Sequence, residues 1–195
     1  MLYQKPTRGV MILAAALAIL GALAKPIYTL PLLAACLAML ILSLFKVWAI
    51  PRRALITSVI VPSIAVLAWQ YALVYGPNAV QLYASNVPAG IKFEPLNLQL
   101  NYQHLSLSDL PLQWLGSVAF PFFVYLAYFR RSLHDKLLSL SWLAFLAAQS
   151  LTFLFVEYPY VHHGNLGRSG QITLLVLFAV SFGFFLRVNK TNLTQ

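Results

Sequence analysis

Acidic side chains are scarce in this sequence: 195 residues carry only four Asp and Glu, and charged residues of both signs make up 9%. A soluble domain carries about 25% charged residues. The apolar runs hold no Asp, Glu or His, and their cations stand only at the run ends, which removes the usual marker of a proton or ion path through a bilayer. Cys36 is the single cysteine and lies within an apolar run, so no intrachain disulfide and no Cys-based zinc site can form. Long polar linkers, low-complexity tracts and internal repeats are also missing.

What remains is apolar. Hydrophobic residues make up 61% of the chain, and the mean hydropathy is +0.78. A water-soluble core cannot absorb that much apolar surface, so lipid is the expected solvent. Six runs approach the roughly 20 residues that a bilayer core requires: 9–24, 27–47, 54–75, 111–129, 137–156 and 171–187. Barrel strands alternate apolar and polar residues, and these runs do not. Helix is then the one way to satisfy the backbone within each run. The fold class expected is all-α: a single transmembrane helical bundle over 1–195.

The net charge of +9 sits in short clusters between the apolar runs. Lys5 and Arg8 precede the first run. Lys46, Arg52 and Arg53 follow the second, Arg130, Arg131 and Lys136 follow the fourth, and Arg187 and Lys190 close the sixth. Lys25, Lys92 and Arg168 fall in the other connections. Such a bias concerns orientation in a bilayer, not nucleic acid, and places both termini in the cytoplasm. A multi-pass protein of a bacterial cytoplasmic membrane is the expected setting, with the lipid bilayer as its first partner. Lys5 and Arg8, the apolar run and Ala22-Leu23-Ala24 also follow the grammar of a cleavable signal peptide. Pro26 close to the cleavage point, and the immediate start of another run, favour a retained helix. Ala14, Ala18 and Ala22 share one face of the first run. That spacing permits close helix approach, within the chain or to a membrane partner. Pro62 and Pro121 are expected to kink their helices. Asp109 and Asp135 are candidate N-caps.

Two connections exceed simple turns. In 76–110, Leu96, Leu98, Leu100 and Tyr102 alternate with amides, which predicts a short strand or extended segment. The second, 157–170, concentrates polar chemistry. Glu157 at the mouth of the fifth run, with His162 and His163, is the candidate catalytic set, since carboxylate and imidazole can move protons. Arg168, Asn165, Tyr160 and His104 are candidate substrate-binding residues, with Arg168 suited to a phosphate or carboxylate. Gly164, Gly167 and Gly170 would let a ligand approach the backbone. Adjacent histidines point apart and no HExxH spacing is present, so no metal site is assigned and no cofactor is expected.

The pattern Gly167-Arg168-Ser169-Gly170 resembles the GxSG motif of rhomboid-type intramembrane proteases, but no later helix is present to carry the histidine base. The outline of apolar helices with polar outer loops resembles part of a polytopic enzyme of lipid-linked glycan assembly. Such transferases carry an acid in the first outer loop, which here is only Lys25-Pro26. Size and span count are similar to the substrate-binding subunit of an energy-coupled vitamin transporter. The expectations are an envelope enzyme or enzyme-like protein acting on a lipid-linked or anionic substrate, a transport component, or a non-catalytic subunit.

Overall fold

All six apolar runs are helical in the computed structural model, which describes residues 6–75, 90–102, 104–158 and 165–193. Helix α1 (Arg8–Ala24) starts at Thr7, whose hydroxyl accepts from Val10 N–H at 3.4 Å. It ends at Lys25, and Pro26 opens α2 (Pro26–Leu44) at the one helical position where a missing N–H costs nothing. Beyond α2, Lys46 takes the left-handed conformation with φ 60°. Val47 N–H then reaches the Leu42 carbonyl and Lys46 N–H the Ser43 carbonyl, at 3.1 and 3.2 Å. This is a Schellman ending with Lys where glycine is usual. Arg52 adds donors to the Ser43 hydroxyl and carbonyl.

The third run is continuous but not uniform. It comprises α3 (Arg52–Leu55), a π-helical stretch Ile56–Ile60, and α4 (Val61–Tyr75). Pro62 explains the change. It has no N–H for the Ser58 carbonyl, so the ladder widens just before it. The Ser58 hydroxyl meanwhile donates to the Ala54 carbonyl.

Next come α5 (Asp109–Ala127), a short α6 (Phe129–Ser132), α7 (Lys136–Leu154) and α8 (Asn165–Leu193). Asp135 caps α7, accepting from Leu138 N–H at 2.9 Å. Asp109 is not the cap of α5: Ser108 holds that place and Asp109 is the first helical residue, where its charge suits the helix dipole. Among the described residues, five helices are long and apolar enough to cross a membrane. Helix α1, with 17 residues, rises about 25 Å, just short of a hydrocarbon core.

Packing runs in the order α4, α1, α2, α7, α8, α5. Ala35 and Cys36 of α2 and Ala144 and Ala148 of α7 are buried, and small side chains let these two helices approach closely. The main apolar core joins α5, α7 and α8 through Val118, Leu138, Phe145, Leu177 and Phe184. Phe145 is fully buried, stacked on Trp114 and edge-on to Trp142, each at 6.1 Å between centroids. Outward, large apolar side chains such as Ile12, Leu112 and Leu175 stand 70%, 74% and 70% exposed. Exposed apolar side chains of that number are compatible with a lipid surround.

The two ends of the bundle differ. At one, the basic end, Trp48 donates to the Leu133 carbonyl at 3.3 Å, Lys136 donates to the Ala49 carbonyl, and Arg187 pairs with Asp135 at 2.8 Å. Tyr128 donates to Asn189 at 2.9 Å. At the other, β1 (Gly90–Phe93) pairs antiparallel with β2 (Phe155–Tyr158), Gly90 opposite Tyr158 and Phe93 opposite Phe155. The strand expected at 96–102 is absent. Leu98–Tyr102 forms a π-helical turn instead, with consecutive Leu98 and Gln99 both buried, which a strand with one buried face would not allow. Helices α4 and α5, neighbours in sequence, share no substantial interface. Residues 90–102 form a strap against the ends of α7 and α8.

Candidate functional site

The strap is held by the end of α7. The last carbonyls of a helix have no partner within it. Here the strap supplies three: Gln99 Nε2 donates to the Thr152 carbonyl at 3.0 Å, Leu96 N–H to Phe153 at 2.6 Å, and Glu94 N–H to Leu154 at 2.9 Å. Leu96 adopts φ 60°, an unfavourable conformation for a leucine. The Thr152 hydroxyl lies 2.9 Å from the Leu166 carbonyl, tying α7 to the first turn of α8.

Beneath the strap a cleft of about 450 Å³ opens between α5, α7 and α8. Its walls carry four glutamines, Gln99, Gln113, Gln149 and Gln171, with Ser117, Thr152, Trp114 and Arg168. Leu105, Leu110, Phe153 and Leu174 supply the apolar surface. Gly170 makes room for one of the amides: a Cβ there would lie 2.8 Å from Gln149 Nε2. Two buried polar atoms on the walls lack partners, Gln99 Oε1 and Trp114 Nε1. Arg168 is exposed and makes no hydrogen bond or ion pair with the described residues. It sits in the first turn of α8, where free backbone N–H groups and the helix dipole both favour an anion.

The structure sorts the expected residues. Arg168 lines the cleft, but from a helix wall: the connection expected through Gly170 gives way to helix at Asn165. Asn165 is described only as the first residue of α8. Glu157 lies on β2 opposite Ile91, half-buried and off the cleft lining. His104 is exposed, with φ 54°, beside the lining residue Leu105. Tyr160, His162 and His163 lie outside the described residues. No grouping of three metal-ligating side chains occurs among the described residues. Ser169 of the Gly-Arg-Ser-Gly stretch is fully buried, its hydroxyl donating to the Leu166 carbonyl at 2.6 Å. That geometry holds a helix turn and offers no nucleophile.

Sequence reasoning missed three contributors. Gln99 and Trp114 had no mark in the sequence beyond residue type, and their role comes from burial without partners. Glu94 is the third. Tyr158 donates to its carboxylate at 2.8 Å, and Asn97 donates to the same oxygen. Lys92 lies 4.4 Å from the Tyr158 ring centroid. The Tyr158 hydroxyl, then the Asn97 amide and the Lys92 charge, hold the Glu94 carboxyl below its ordinary 4.5. A lowered folded-state pKa means that the stabilisation is present above the unfolded value and lost as pH falls through the folded one. Strap amides, measured by hydrogen exchange normalised for intrinsic rate, should therefore lose protection below about pH 4.5. Tyr158→Phe should lose part of that protection already at neutral pH. Equal protection in acid and at neutrality would contradict the assignment.

Comparison of the chain with protein-family models, with curated proteins and with solved structures finds no match.

Proposed function

We propose that the protein is a multi-pass membrane protein with both termini in the cytoplasm, and that its outward-facing cleft binds an anionic, lipid-linked ligand. The orientation rests on the cations gathered at the basic end, which puts the strap end outside. The binding reading rests on one observation above the others: Arg168, without an ion-pair partner among the described residues, stands on the cleft wall at the N-terminus of α8. A guanidinium there offers two parallel donors to a phosphate, and the exposed apolar faces of α5 and α8 beside the cleft suit a lipid tail.

Binding is a narrower claim than catalysis. The described lining holds no carboxylate, histidine or cysteine, so proton transfer would fall to Glu157, His162 and His163. A transport component is the second reading, favoured by the cleft lying between helices and not on a loop surface.

The test uses the protein in nanodiscs of zwitterionic lipid. Polyprenyl phosphate should bind, and Arg168→Gln should weaken it about tenfold or more, the scale of a lost charge-assisted hydrogen bond. Equal binding by the variant at unchanged thermal stability would refute the reading. A fluorescent-protein fusion at the C-terminus should be bright in cells, and an alkaline phosphatase fusion there inactive.

A further inference from the structure

We infer that the ligand presents a hydroxyl beside its anion, as a sugar phosphate ester does, and that Gln99 and Trp114 read that hydroxyl together. The inference rests on the anion-binding reading and narrows it.

Gln99 is 2% exposed. Its Nε2 is committed to the Thr152 carbonyl at 3.0 Å, which fixes the amide and leaves Oε1 as a buried acceptor without a partner. Trp114 Nε1 is a buried donor, also without a partner, and its ring is held by stacking on Phe145. Both residues line the cleft. Buried polar groups are rarely left unpaired, and where they are, a ligand is one explanation.

The two orphans are opposite in kind, and that limits the ligand. A hydroxyl can accept from the indole N–H while donating to the amide oxygen. A fully ionised phosphate has only acceptor oxygens. It would satisfy Trp114 and Arg168 but would set negative oxygen against Gln99 Oε1. Gln113 and Gln149 add amides that can each donate and accept, which suits neighbouring hydroxyls on one ring. Together the walls match a carbohydrate phosphate ester, either lipid-linked or free.

The experiment measures binding by native mass spectrometry in zwitterionic nanodiscs. The probes are polyprenyl phosphate, the same lipid bearing one hexose on its phosphate, hexose 1-phosphate and inorganic phosphate. The hexose-bearing lipid should bind about tenfold or more tighter than the bare phosphate lipid, because a site built to bond a hydroxyl rejects the analogue lacking it. Trp114→Phe, which keeps the ring and removes the N–H, should bring that ratio close to one. Gln99→Met should do the same. Because it also removes the bond to Thr152, Trp114→Phe is the variant that decides if Gln99→Met fails to fold. Tight binding of hexose 1-phosphate would support the inference with a free ligand and refute the lipid-linked source. Equal affinity of the wild type for the two lipids would overturn the inference and leave the anion reading intact. No binding of either lipid or of the two free phosphates would overturn both.

Discussion

Phe145→Ala should destabilise the fold by about 2–3 kcal/mol while leaving α7 helical. In water such a truncation costs about 3–5 kcal/mol, the sum of a transfer penalty and a cavity. In a bilayer the unfolded reference is itself apolar, so the transfer part shrinks and the cavity part persists. Phe145 is fully buried between Trp114 and Trp142, with rigid indoles on two sides that cannot easily collapse into the void. Helix content should hold because hydrocarbon forces the backbone to bond within its segment. Steric trapping in bicelles gives the free energy and far-ultraviolet circular dichroism the helix content. A change smaller than about 1 kcal/mol would mean that α5, α7 and α8 do not meet as described. The loss should also weaken the cleft, since Trp114 stands on Phe145.

Ala22→Leu is the second large effect expected, about 1–3 kcal/mol from overpacking. Ala22 is fully buried within the chain, while Ala14 and Ala18 are half-buried. Helix α1 packs on α2, α4 and the π-helical stretch between α3 and α4. Three added carbons at Ala22 must push one of these neighbours away. The readout is the thermal stability of monomeric protein after mild detergent extraction. If stability holds and only an oligomer is lost, the alanine face serves a partner, as its spacing also allowed.

The helices were legible because span length is a property of each run taken alone. Local chemistry was legible too: Asp135 caps α7 as its position predicts, and Pro62 disturbs its helix, though through a widened ladder. What escaped depends on distant neighbours. The period-two pattern at 96–102 reads as a strand, but its partner is the carbonyl end of α7, 53 residues away from Gln99, which no alternation encodes. Gly167 and Gly170 read as loop residues, whereas Gly170 lies inside α8 where the Gln149 amide comes close. Arg168 was found by its charge, and its setting on a cleft wall was not. Gln99 was one of several alternating amides. Only burial separates an amide with a free acceptor from its neighbours.

The strap also dictates an order of assembly. Helices α1, α2 and α4 can meet as soon as they are made, since α1 packs on both of the others. Helix α5 cannot. It follows α4 in sequence but rests on α8, which is made later than α7, and the strap leading to it has no anchor until the end of α7 exists. A ribosome-bound chain would thus hold α5 waiting beside a three-helix unit whose α2 still lacks its α7 neighbour. The cleft, drawn from the strap, α5, α7 and α8, would come into being only once α8 has docked on α7 and α5, so that the binding proposed for it would report the arrival of α8.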